Sequence, residues 1–204
     1  MLVSEENMKV FFEHLLEPYI LMWSIIILIL IISKFGIGLH YISVADIIKN
    51  HLNCFKNNKG KILIVPTINY MALPFFMGIA TTKIKTINAE AINIITIIVS
   101  ILTAMLFTLL TMVIDMKAKI KQNPQYFSKE ADISQKALLE TYYTIMFEVL
   151  VSIILLLFCF IYCFTKKYGF IQSFLIYSLT YMLVINLLMI IKRIFRVIDT
   201  DMKK

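Results

Sequence analysis

The chain has 204 residues, 60% of them hydrophobic, and a formal net charge of +7; its mean hydropathy is +0.83. Soluble domains are nearer half apolar and disperse those residues. Here they gather in blocks of about 20, enough to cross a hydrocarbon layer of roughly 30 Å. An ordinary soluble domain is excluded, and cations that flank apolar blocks point to membrane topology and anionic headgroups rather than to nucleic acid.

The acidic N-terminal stretch lacks the basic region and small-residue site of a cleaved signal peptide, so none is expected. The first apolar block, 19–39, opens just after Pro18, which suits a helix start, and Tyr19 and Trp23 suit the headgroup level. The segment 43–56 reads as a short amphipathic helix. Ser43 and Asp46 stand at cap spacing, and Val44, Ile47, Ile48, Leu52 and Phe55 recur at helical intervals. It is expected either on the membrane surface or packed under a loop. Asn57-Asn58-Lys59-Gly60 marks a turn.

The second block, 62–80, is the weakest span. It holds Asn69 and two prolines, and Pro74 must kink its interior. The third block is 91–114. A polar linker with a helix extension, 117–140, leads into the fourth block, 142–164. If Ser128 caps a helix that continues unbroken to Phe164, that helix measures about 55 Å and projects beyond the bilayer. After a Lys166-Lys167-Tyr168-Gly169 turn comes the fifth block, 170–191, and a basic tail, 192–204. The fold class is therefore all-α: one membrane domain, a polytopic helical bundle with five candidate spans, or four if 62–80 does not cross.

With five spans, the 34–61 loop, the 117–136 linker and the tail share one side and carry 15 Lys and Arg, against 5 on the other. Without the second crossing the split is 11 to 9. The positive-inside rule favours five spans, with the C-terminus in the cytosol and the N-terminus outside, in the cell's inner (cytoplasmic) membrane.

Two blocks carry a polar stripe. Asn93, Thr96, Ser100, Thr103 and Thr111 fall within about 100° of one face of the third, and Thr144, Glu148 and Ser152 share a face of the fourth, which Glu140 prolongs. Polar side chains face lipid at a cost, so both stripes are expected to point into protein or water as a polar intramembrane face. Ordinary helix packing explains either stripe alone; two on neighbouring helices suggest a shared interface. Glu148 is the one acid two or three turns inside a block, which suits either an ion or proton site or a bonded acid near the inner interface. Asn69 and Asn186 are expected to bond across helices. Lys192, Arg193 and Arg196 form the expected contact patch for a partner or for lipid.

Catalysis is not expected. The three histidines lie outside the blocks without partners at metal or general-base spacing, and the three cysteines form neither CxxC nor Cys/His spacing. No cofactor and no metal is implied. Only five glycines are present and no GxxxG, which speaks against an alternating-access carrier. The function expected is that of a non-enzymatic oligomeric membrane module, an ion-conducting channel or bilayer-perturbing assembly controlled by a cytosolic protein partner. A scaffold or sensor subunit and a small solute transporter are the alternatives. In size, helix count and basic inner face the plan resembles the small multi-pass membrane components of bacterial anti-phage defence systems, such as the Kiwa-type membrane subunit. That resemblance rests on no residue motif, implies a role in antiviral defence and carries over no functional residue.

Overall fold

The computed structural model describes residues 20, 24–25, 44–56, 60–122, 129–165 and 168–202. The first block, 19–39, falls almost wholly outside them. Among the described residues the protein is all-helical, and four helices are long and apolar enough to cross a membrane. We name the helices α1 (Ala45–Asn53), α2 (Ile64–Ile84), α3 (Ala89–Gln122), α4 (Lys129–Tyr162) and α5 (Phe170–Met202).

Local chemistry explains several ends and irregularities. Val44 occupies the N-cap of α1 without a side-chain cap bond, and Asp46 supplies the acid of the first turn; Ser43 lies outside the described residues. Gly60 adopts φ +73°, a left-handed conformation open to glycine, where the chain doubles back so that Leu63 N donates to Phe55 O at 2.7 Å. Within α2 the turn Ile68–Ala72 is π-helical, immediately before Pro74. Proline lacks an N–H and crowds the carbonyl four residues back, here that of Tyr70, and the widened turn absorbs the conflict. The helix bulges and continues. Asn88 caps α3, its Oδ1 accepting from Ala91 N at 3.0 Å. At the start of α5, Gln172 Oε1 accepts from Gly169 N at 2.6 Å, half of a capping box.

The helices run alternately up and down. α4 packs between α3 and α5, α2 packs on the far side of α5, and α1 packs on α4. Accordingly 56% of the apolar window of α4 is buried inside the protein, against 17% in α3 and 11% in α2, which makes α4 central and leaves α2 and α3 most of their surface for lipid or partners. The core falls in two main clusters. One, with Ile92, Val99, Leu155 and Leu183, lies toward the α2–α3 and α4–α5 connections. The other, with Leu106, Ile145, Val149, Ile190 and Ile194, lies toward the opposite end.

α2 and α5 approach unusually closely at Gly78. A Cβ there would meet Ser178 Oγ and stand 2.9 Å from Ser178 N and 3.0 Å from its Cα. Thr82 Oγ1 donates to Gly78 O at 2.7 Å, and Thr81 and Tyr181 share a hydroxyl bond of 2.9 Å. Small residues permit such backbone contact in membranes. The absence of GxxxG thus concealed a small-residue crossing built from two different helices.

The alternating order gathers cations at one end. Among the described residues, Lys49, Lys56 and Lys61 near α1, Lys117 and Lys119 on α3, Lys136 on α4 and Lys192, Arg193 and Arg196 on α5 lie at the end where α2 begins, with Lys83 and Lys85 at the other.

Candidate functional site

α4 and α5 hold a ladder of polar side chains. Glu140, Thr144 and Glu148 repeat at four-residue intervals on α4, one face of a helix, while Asn186 and Arg193 are two turns apart on α5. At the inner rung Asn186 Nδ2 donates to Glu148 Oε1 at 2.6 Å, and both residues are fully buried. Glu148 Oε2 and Asn186 Oδ1 have no hydrogen-bond partner among the described residues. The pair lies between the two apolar clusters, with Ile145, Val149 and Ile190 on one side and Leu155 and Leu183 on the other. Chemically it is a single carboxyl held by one amide, a group able to hold a proton.

The outer rung is an arginine turned inward. Arg193 Nη1 donates to Glu140 O at 2.9 Å and to Thr144 Oγ1 at 2.8 Å, and its Nη2 lies 3.5 Å from Glu140 Oε2. Thr144 Oγ1 in turn donates to Glu140 O at 2.9 Å. Of the three residues expected to form a contact patch, Arg193 thus turns toward Glu140 and Thr144, though all three line one cleft. The Arg193 side chain is 15% exposed, and the guanidinium fork matches the carboxylate and carbonyl of α4. Lys192 and Arg196 are exposed.

α1 closes this end of the ladder. His51, fully buried, stacks on Phe147 of α4 with ring centroids 4.0 Å apart, and meets Phe55 edge-on at 5.2 Å. Burial, reinforced by the nearby Arg193 charge, lowers the His51 pKa from 6.5 to about 4, so the ring is neutral at physiological pH. Burial likewise raises the thiol of Cys54. Ile47 packs with Phe147, Val151 and Met182, while Val44, Ile48 and Leu52 stay 39–42% exposed in a row along α1. The docked edge of α1 is thus centred on His51 with Ile47 and Phe55 beside it, and only part of the apolar set that marked the helix faces the protein.

Beside α1 a cleft of about 770 Å³ opens between the start of α2, α4 and α5. Lys56, Lys136, Lys192, Arg193 and Arg196 line it with Glu140; Phe55, Leu63, Pro66, Tyr70 and Met189 supply its apolar wall.

The sequence-selected stripes take different places. Thr144, Glu148 and Ser152 are buried inside the bundle, Ser152 Oγ donating to Val149 O at 2.8 Å. On α3, Asn93, Ser100 and Thr111 are exposed and Thr96 and Thr103 half-buried. The α4 residues thus form an internal seam, whereas on α3 Asn93, Ser100 and Thr111 look outward and the half-buried Thr96 reaches Cys159 of α4. The hydroxyls of the α3 stripe bond their own helix, Ser100 to Thr96 O and Thr96 to Ile92 O at 2.8 Å each, and Thr103 to Val99 O at 2.6 Å.

No three His, Cys, Asp or Glu cluster as a metal site among the described residues, and Cys54, Cys159 and Cys163 are unpaired thiols. Comparisons with protein families, curated proteins and solved structures return no match.

Proposed function

We propose that the chain is a non-enzymatic membrane module that works as an oligomer, conducting ions or perturbing the bilayer under the control of a cytosolic protein that docks at its basic end. The observation that carries the reading is the outward stripe of α3. This helix packs along one side on α4 and presents Asn93, Ser100 and Thr111 on its outer surface. Lipid tails give apolar faces little reason to associate, whereas hydroxyl and small residues give close packing and interhelical bonds of about 0.6 kcal/mol each. A second copy is the natural cover for this face, and in an assembly the facing α3 stripes form the polar surface between protomers. The excess of cations at the end where α2 begins favours a cytosolic placement for that end and for the C-terminus, in the inner membrane. A role in antiviral defence, by depolarising the membrane of an infected cell, fits this mode of action.

Replacing Ser100, Thr103 and Thr111 with leucine is expected to turn an oligomer in nanodiscs into a monomer and to abolish ion flux from liposomes, with helix content unchanged. A wild-type chain that is strictly monomeric in both detergent and nanodiscs would end this reading.

One observation favours a second reading, a membrane scaffold for a cytosolic protein. α3, α4 and α5 span 34, 34 and 33 residues, about 50 Å each against roughly 30 Å of hydrocarbon, and the excess emerges as a helical platform. A monomer that captures its partner without any flux would select it.

A further inference from the structure

The geometry points to the cleft beside α1 as a binding site for one anionic phospholipid, its phosphate among Lys56, Lys192 and Arg196 and its first acyl carbons along Leu63, Pro66 and Met189. Three observations converge on that chemistry. The first is charge: the cleft is lined by five cations and one carboxylate, and Glu140 is already engaged by Arg193. Lys56 donates to Asn53 Oδ1 at 2.9 Å and keeps two further ammonium protons for an anion. The second is the wall. A site for a free anion has no use for Leu63, Pro66 and Met189 beside its cations, whereas an amphiphile needs both surfaces at once.

The third is position. The cleft stands where α2 begins, and the neighbouring Ile62, Ile64 and Val65 are 61%, 71% and 68% exposed. Such a run is tolerable where acyl chains cover it. The adjoining helix α1 offers Val44, Ile48 and Leu52 as an exposed apolar row, the arrangement of a helix lying at the headgroup boundary. The cleft therefore opens at the depth where phosphates sit, with apolar surface leading away from it. A soluble protein partner would meet cations and not this apolar approach. The site is complete within one protomer and holds for a monomer as for an oligomer.

The test compares retention of phosphatidylglycerol and phosphatidylcholine by native mass spectrometry, after purification from bilayers holding both in equal amounts. Wild type is expected to keep about one phosphatidylglycerol per protomer. A variant with Lys56→Gln, Lys192→Gln and Arg196→Gln, all exposed positions, is expected to bind it at least about tenfold more weakly. Lys83→Gln with Lys85→Gln, at the opposite end, should bind as wild type does. Thermal unfolding provides the second readout: phosphatidylglycerol should raise the wild-type midpoint and leave that of the triple variant unmoved. Equal retention of both lipids, or unchanged retention by the triple variant, overturns the assignment. Displacement of the lipid by millimolar inorganic phosphate overturns it too, in favour of a soluble-anion site. Loss of oligomers with lipid retained would break the oligomeric reading and leave this one standing.

Discussion

The imidazole of His51 lies flat on the ring of Phe147, 2° from parallel with centroids 4.0 Å apart, and through this contact α1 is fastened to α4. Neither ring nitrogen has a hydrogen-bond partner among the described residues. Protonation would bury a charge there with no acceptor for either N–H, and beside the Arg193 charge.

Docking of α1 is therefore expected to depend on pH. The folded pKa of about 4 lies below the ordinary 6.5, so protonation favours the undocked helix. The contribution is fully present above about pH 6.5 and is lost as pH falls toward 4, amounting to about 3 kcal/mol. Hydrogen exchange over 45–55 should accelerate across that window while α4 stays protected. His51→Phe keeps the stack and removes both unsatisfied nitrogens. It should abolish the pH response and tighten docking by about 1 kcal/mol or more. Exchange in this segment that is independent of pH would dismiss the idea.

Much of this arrangement was legible in the chain. Four apolar blocks became helices because length and hydropathy leave no other way to satisfy backbone groups in lipid. Periodicity showed which residues share a face but not which neighbour that face meets, and so the α3 and α4 stripes looked alike. The α4–α5 pairing was nevertheless open to simple counting. In a helical hairpin, residues equally far from the turn lie at equal depth. Glu148 and Asn186 each stand 19 positions from Lys167, while Glu140 and Arg193 stand 27 and 26 away. That register foretells both rungs of the ladder, including the inward turn of an arginine assigned to the surface. His51 was concealed for another reason: a histidine among Lys49, Asn50 and Asn53 reads as solvated, and only its spacing of four from Ile47 and Phe55 hints at a shared face.

The contact of Gly78 with Ser178 yields a steric prediction. Gly78→Ala must push α2 away from α5, because the added carbon meets backbone as well as the serine hydroxyl. A loss of about 1–3 kcal/mol is expected. Ser178→Gly should rescue only part of it, since the serine backbone stays where it is. Gly169→Ala is the control: a Cβ there meets Gln172 Oε1 at an ordinary 3.7 Å and should change little. Thermal unfolding in one detergent compares all four proteins. Equal midpoints for Gly78→Ala and wild type would mean that the two helices do not approach this closely.

The buried pair gives the last prediction, and it separates structure from conduction. Asn186 supplies the one hydrogen bond to Glu148 among the described residues, at 2.6 Å. Asn186→Leu leaves a buried carboxyl without a donor and should cost about 2–3 kcal/mol. Glu148→Gln keeps the Oε1 acceptor and places an amide where Oε2 stood, able to donate to Asn186 Oδ1. Two carboxamides can then satisfy each other face to face, so this variant should be at least as stable as wild type. Glu148→Leu combined with Asn186→Leu removes both polar partners together and should recover most of the loss of Asn186→Leu alone. Unfolding midpoints of the single and double variants measure the coupling. Flux supplies the second reading, since Glu148 lies inside the protomer and away from the outward face of α3. If conduction runs between α3 faces, Glu148→Gln retains it, and the leucine substitutions on α3 do not. Loss of flux in a well-folded Glu148→Gln protein would instead carry the ion path through the protomer, between α4 and α5.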